Sequence, residues 1–305
     1  MSKVTELGLV ANAVQAQRWN GASGSYWIKH RERHLAEHQH LTPHLFRAAR
    51  ISPGERVLDV GCGCGDTTIA AAQAANGAAG ERTGVWLSRQ EMSMLTGCAV
   101  GLDLSAPMLR VARLLAKETS TANVGFAQGD AQVCPLRPSS CDVVISNFGV
   151  MFFNKPSVAF ESIATVLRPG GRLAFLCWQD DTKNEVFAIP LRAFGVYKRL
   201  PDPDINDMFV DPQLVMDLLS STGWKKIEIT PVNEQAWIGS DVDDVMSYIR
   251  GMPVIRSLAA DFADQALTER VLANVAEQYA SRQRCDGVWV RAAAWLVTAL
   301  RAPDS

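Results

Sequence analysis

The sequence has no apolar run near the roughly 18 residues that a membrane helix requires; stretches such as Ala292 to Leu300 reach half of that. No membrane span is therefore expected. Excess charge is also lacking. Thirty Lys and Arg face thirty-two Asp and Glu, and a formal net charge of −2 removes the general electrostatic case for gripping a nucleic-acid backbone. Paired C-x-x-C spacing is absent, and the seven cysteines, at 62, 64, 98, 134, 141, 177 and 285, are odd in number and scattered. Neither a disulfide framework nor a metal site is predicted from them, and most read as small reduced core residues. Finally, the first residues hold one lysine and a weak apolar patch broken by Asn12 and Gln15, a poor secretory signal, so a cytoplasmic protein is expected.

What remains is a chain of 305 residues, 48% hydrophobic, able to fill a large globular core. Short apolar runs alternate with helical patterns between about 55 and 180, which predicts βαβ units around a parallel sheet. The predicted strands are Arg56–Val60, Ala99–Leu104, Val124–Ala127, Asp142–Ser146 and Arg172–Trp178. Ser105 is placed to cap a helix opening with Pro107, and Pro156 opens another that stops at Arg168-Pro169-Gly170-Gly171. Beyond Trp178 the texture turns polar and aromatic, as expected of a lid. A helix at Pro212–Ser221, a strand at Lys226–Thr230, helical stretches near 241–250 and 261–283, and a strand within Trp289–Thr298 complete the reading.

The turn in "VLDVGCGCGDTT" supplies the first chemical clue. Gly61, Gly63 and Gly65 sit where a strand must bend into a helix, and without Cβ atoms they let a ligand lie against the backbone. The third glycine of a G-x-G-x-x-G dinucleotide fingerprint is missing, since Asp66 and Thr68 stand at the positions it would take. A nicotinamide-dependent oxidoreductase is disfavoured on that ground. Asp103, at the end of the second strand and followed by Leu104, can accept from both hydroxyls of a ribose. Asp130, at the end of the third, can accept from an adenine amine. Together they describe a nucleoside lying across the carboxyl ends of the strands.

All five histidines, 30, 34, 38, 40 and 44, fall in the first 50 residues. A helix over Trp27–His38 would align His30, His34 and His38 at i, i+4 spacing. That stripe could bind a metal or supply a base, but a solvated face is the preferred reading, since no carboxylate or cysteine pattern completes a metal site.

"VLDVGCGCGDTT", "VGLDLSAPML", "GDAQVCPL", "DVVISNFGVMFF" and "VLRPGGRLAF" resemble, in order, the motifs of class I S-adenosylmethionine-dependent methyltransferases, especially the small-molecule branch called methyltransferase type 11. The resemblance implies a Rossmann-like α/β fold with a seven-stranded, mostly parallel sheet, helices on both faces, an N-terminal helical cap and a lid insertion. It implies a cap over 1–50, a cofactor-binding core over 51–180, a substrate-selecting lid over 181–215 and completion of the sheet over 216–305. S-adenosylmethionine would be the cofactor. Gly61, Gly63 and Gly65 would run beneath its methionine portion, with Asp59 reaching the amino group directly or through water. Asp103 and Leu104 would hold the ribose, Asp130 and the backbone of Ala131 the adenine, and Asn147 the methionyl end or the substrate. Cys62 and Cys64 occupy variable motif positions and read as packing.

One departure stands out. Asp103 comes 38 positions after Gly65, whereas the ribose acid ordinarily follows by about 20. The extra piece is "GERTGVWLSRQEMSMLTG", Gly80 to Gly97.

The implied activity is in-line methyl transfer to a small acceptor, of the sort found in secondary metabolism, in which holding the acceptor against the S–CH3 bond and excluding water do most of the work. Trp19, Trp27, Phe148 and Phe187 are candidates to line the substrate, with Phe194, Tyr197 and Met208 adding an apolar wall. His30 and His34 are candidate bases. The rivals are a non-catalytic protein that binds the cofactor, and an RNA-base methylase. The charge balance and "SNFG" at Ser146–Gly149, in place of an N-P-P-Y type motif, oppose the latter.

Overall fold

The computed structural model describes residues 12–76, 97–196, 207–260 and 264–303. The inserted segment at 80–97, Gly97 excepted, and Tyr197 lie outside the described residues.

Four short helices come first: Ala13–Asn20 (α1), Ala22–Lys29 (α2), Arg31–His38 (α3) and Thr42–Ala49 (α4). Then strands and helices alternate: Arg56–Val60 (β1), Asp66–Ala75 (α5), Cys98–Asp103 (β2), Ala106–Glu118 (α6), Val124–Gln128 (β3), Cys141–Asn147 (β4), Pro156–Val166 (α7) and Leu167–Trp178 (β5). Helices Glu185–Ala193 (α8) and Pro212–Ser221 (α9) lead to Trp224–Gly239 (β6), then to Val242–Gly251 (α10), Pro253–Ala260 (α11) and Gln265–Ala280 (α12). The strands Gln283–Arg284 (β7) and Gly287–Arg301 (β8) close the chain's sheet.

The sheet runs β3-β2-β1-β4-β5-β8-β6, with β7 pairing off this path onto β8. Strands β1 to β5 pair in parallel, and β8 lies antiparallel to both β5 and β6. The seven-stranded, mostly parallel sheet expected from the motifs is thus present, with a two-residue strand added at β7. Central strands are apolar on both faces: Val57, Leu58 and Val60 of β1 and Val143 to Ile145 of β4 are buried, as covering helices require. The chain leaves β1 toward β2 on one side and reaches β4 on the other. That reversal opens a crevice at the carboxyl ends of β1 and β4, the place where open α/β sheets bind ligands.

Local chemistry accounts for most element ends. Ser105 accepts from the Met108 amide at 3.3 Å at the start of α6, with proline in the first turn. Asp264 caps α12 through the Ala266 amide at 2.8 Å.

Four expectations change. The fifth strand starts at Leu167 rather than Arg172, so Arg168-Pro169-Gly170-Gly171 lies within it and the helix before it already ends at Val166. Trp27–His38 is not one helix: it breaks at His30 (φ −105, ψ 17), because α2 docks on α6 whereas α3 lies along β6. Strand β6 runs to sixteen residues rather than the five of Lys226–Thr230. Pro231 and its polar neighbours hid it, and they are tolerated because β6 ends the sheet and pairs on one side only. The helical pattern near 261–283 resolves into α12 alone, preceded by the separate α11.

Side chains from the N-terminal helices clamp them to the sheet. Arg33 donates to the Ile238 carbonyl and pairs with Asp244, while its guanidinium lies 4.7 Å from the Tyr248 ring centre. Arg31 pairs with Asp66, its Nε 2.9 Å from Oδ2. Asn20 bridges the Leu104 carbonyl (2.9 Å) and the Ala106 amide (3.0 Å). No helix among the described residues is long and apolar enough to cross a membrane.

Candidate functional site

A cavity of about 740 Å³ occupies the crevice, a size ordinary for a small-molecule site. Its floor is the carboxyl edge of the sheet and its roof is α1 to α3.

The three glycines of the β1–α5 turn are all at positive φ (Gly61 +69, Gly63 +54, Gly65 +86), but they are bare for different reasons. A Cβ on Gly61 would stand 2.8 Å from the Gly149 backbone, and one on Gly65 would stand 2.7 Å from the Ala112 Cβ. Those two serve packing. At Gly63 the nearest atom to an added Cβ is Trp27 Nε1 at 3.8 Å, so the space over it is open to a ligand. Gly61 and Gly63 line the cavity; Gly65, expected beneath the cofactor, does not. It seats α5 against Phe126 instead.

Asp103 ends β2 on the cavity wall, beside Leu104. Its Oδ2 accepts from the Gly63 amide and its Oδ1 from the Ser105 amide, both at 2.8 Å, which ties the acid to the glycine turn. Burial raises its pKa, and the Ser105 and Gly63 amides pull the other way. Asp130 lines the cavity too, with Ala131 beside it; its oxygens accept from the Gln132 amide (2.9 Å) and Nε2 (3.0 Å), leaving lone pairs for a further donor. Asn147, at the end of β4, donates to Thr42 Oγ1 at 3.2 Å, and its buried Oδ1 has no partner. A donor from a ligand would satisfy it.

Asp59, expected to reach the cofactor, is not part of the cavity wall. It is fully buried, and its Oδ2 accepts from Thr67 (2.6 Å) and Thr68 (2.7 Å), of which Thr67 does face the cavity. Burial pushes its pKa up to about 6, against the pull of the two hydroxyls and with help from the nearby acids Asp103 and Asp66. A raised folded pKa means that the neutral carboxyl's contribution to stability is complete below about pH 4 and is lost as pH rises through about 6. Asp59→Asn keeps an acceptor for both threonines without the charge. It is expected to raise folding stability by on the order of 2–3 kcal/mol at pH 8 and to change it little at pH 4. Urea denaturation at the two pH values checks this, and an equal effect at both would refute the buried-charge account.

Trp19, Trp27, Phe148 and Phe187 all line the cavity, joined by Trp178 and Phe209, which sequence reasoning missed. Trp178 ends β5 at the same carboxyl edge as Asp103 and Asn147, a positional signal the strand assignment already contained. Phe194 and Met208, expected on the apolar wall, are not in it; both pack against the core. Phe148 sits in the left-handed region at φ +63, a strained conformation for a bulky residue. The strain aims its ring onto Trp178, with centroids 4.1 Å apart and planes 23° from parallel.

Of the candidate bases, His34 lines the cavity and His30 does not. The break at His30 turns that ring toward Tyr26, 4.3 Å away, and Tyr248, 5.7 Å away. His38 also lines the cavity, against Phe148. Burial pushes its pKa down to about 4, with Glu37 opposing and His34 adding, so it is neutral near pH 7. Cys62 and Cys64 face the cavity as inert thiols. Burial raises the first far above the usual range and the second to about 12, with neighbouring acids adding to both.

Residues 51–198 match the model of a family described as Methyltransferase domain. Over 156 residues the chain is 28% identical to the demethylmenaquinone methyltransferase of Lactococcus lactis subsp. lactis, covering 51% of this chain and 53% of that one. Over 199 residues it is 29% identical to the arsenite methyltransferase of Halobacterium salinarum, covering 64% and 44%. The chain thus spans about half the length of these relatives. Among solved structures, the YcgJ protein of Bacillus subtilis superposes with a TM-score of 0.52 at 17% identity, over 88% of this chain and all of that one. The reversed β8 and the crevice at the switch point agree with this likeness of residues 51–198 to methyltransferase domains.

Proposed function

We propose that the chain transfers the methyl group of S-adenosylmethionine to a small, planar organic acceptor held against the aromatic rings of the cavity. The observation that carries this reading is one cavity lined by two unlike sets of groups. One set is the open face of Gly63, the Asp103 and Asp130 carboxylates and the orphaned Asn147 Oδ1; the other is the rings of Trp19, Trp27, Phe148, Trp178 and Phe187. The first set fits the cofactor group by group. Asp103 would accept from the ribose hydroxyls, Asp130 and Ala131 would face the adenine, and Asn147 Oδ1 would accept from the methionyl amine. When bound, the cofactor supplies a methyl group on a cationic sulfur that leaves as a neutral thioether. The aromatic faces favour both that positive charge and a flat acceptor, and their bulk excludes water.

The relatives are named for demethylmenaquinone and for arsenite. Arsenic is taken by thiolates, and the cavity thiols Cys62 and Cys64 are held protonated, so an organic acceptor fits better. An RNA base is disfavoured by the net charge of −2, and a cytoplasmic location agrees with a small-metabolite substrate. Incubation with methyl-labelled S-adenosylmethionine and fractionated cell extract, followed by mass spectrometry, should yield a labelled small molecule. Binding of the cofactor without turnover on any fraction would favour a non-catalytic role, and no binding of S-adenosylmethionine or S-adenosylhomocysteine would overturn the reading altogether.

A further inference from the structure

The roof of the cavity holds a group of polar side chains that methyl transfer by positioning alone does not use. On α3, His34, Glu37 and His38 are all more than nine-tenths buried. Trp27 stacks on His34 with centroids 3.9 Å apart and planes 13° from parallel, which favours this orientation of the imidazole. Glu37 Oε2 stands 3.5 Å from His34 Nδ1. The other ring nitrogen, Nε2, is buried without a hydrogen-bond partner, in a residue that lines the cavity beside Trp27 and Gly63. A carboxylate beside one nitrogen and an unpartnered second nitrogen, in a residue of the cavity wall, is the arrangement that favours one tautomer and leaves a basic lone pair free.

From this geometry we infer that His34 is the general base of the transfer and Glu37 its positioning residue, so that the acceptor is a hydroxyl or an acidic carbon whose proton must leave. The inference rests on the methyl-transfer reading above. As the acceptor atom's electron pair closes on the methyl carbon, its proton passes to His34 Nε2, and the S–CH3 electron pair remains with sulfur. The imidazolium so formed is balanced by Glu37. Glu37 is fit for this because it stays ionised. Burial alone would raise its pKa, but the His34 contact, with smaller pulls from the neighbouring imidazoles and Arg33, brings it below the usual carboxylate value. The groups facing His34 are Glu37 and His38 on α3, Trp27 and the more distant His30 on α2, and Tyr248 on α10, whose ring centre lies 6.4 Å away. Burial takes His38 out of competition by keeping it neutral, and burial likewise raises the Tyr248 hydroxyl beyond the working range.

Long-range proton–nitrogen NMR on histidine-labelled protein loaded with S-adenosylhomocysteine tests the pairing without turnover. The expected result is an Nδ1–H tautomer for His34 that becomes mixed in Glu37→Gln, with the His38 signals unmoved. An Nε2–H tautomer in the parent protein, or no change in Glu37→Gln, overturns the pairing. With 1,4-naphthohydroquinone as probe acceptor, His34→Gln should lower kcat by roughly 10²- to 10⁴-fold. Glu37→Gln should lower it by roughly 10- to 100-fold with little change in KM, and should shift the acidic limb of the pH profile. Calorimetry separates the two levels. If both variants bind S-adenosylhomocysteine like the parent and His34→Gln methylates at the parent rate, the base is wrong and methyl transfer stands.

Discussion

Asp103→Ala should weaken S-adenosylhomocysteine binding by about a hundredfold or more in calorimetry. The carboxylate is the sole acidic group at the end of β2, and it stands on the cavity wall with both oxygens anchored to backbone amides 2.8 Å away. A hydrogen bond to a charged group contributes about 1.5–3 kcal/mol, so two ribose hydroxyls on one carboxylate amount to about two decades of affinity or more. Asp103→Asn keeps one acceptor and the shape, and should lose only about tenfold. Acidification should act in the same direction as Asp103→Asn, because burial raises this carboxyl's pKa and protonation removes an acceptor. Equal affinity in Asp103→Ala and the parent would mean that the ribose lies elsewhere.

The second large effect separates two glycines that look alike in sequence. Gly65→Ala should destabilise the fold by about 3–5 kcal/mol in urea, since the new methyl would meet Ala112 Cβ at 2.7 Å and Phe126 Cε1 at 2.8 Å on a backbone at φ +86. Gly63→Ala meets nothing within 3.8 Å, so only the left-handed backbone costs stability, about 1–2 kcal/mol. Its methyl instead occupies space over the turn, between Trp27 and Met108, and cofactor affinity should fall by on the order of 10- to 100-fold. The opposite pattern, with Gly63→Ala unfolding and Gly65→Ala merely binding weakly, would exchange their roles.

The strands of the first half were legible because each is short, apolar on both faces and followed by a turn signal. Predicted and observed boundaries agree for β1 and differ by one residue at each end for β4 and by one at a single end for β3. Ser105 and Pro156 marked helix starts through capping and fixed φ, which are local properties. Strand β6 was underread because an edge strand carries few packing demands, and its polar residues and Pro231 break the alternation that would announce it. The helix over Trp27–His38 was overread for a related reason. Nothing local forbids it, and its break at His30 follows from docking on two different partners.

The sequence alone determined the parallel half of the sheet, the bare turn after β1 and the acids at the ends of β2 and β3, because backbone sterics, capping and strand periodicity act over a few neighbouring residues. Tertiary structure decided which glycines open onto the cavity, that Asp59 is buried behind Thr67, and that Trp27 stacks on a His34 ring whose Nδ1 stands beside Glu37. Those are outcomes of packing between elements far apart in the chain, and no spacing along one strand or helix encodes the distance between them.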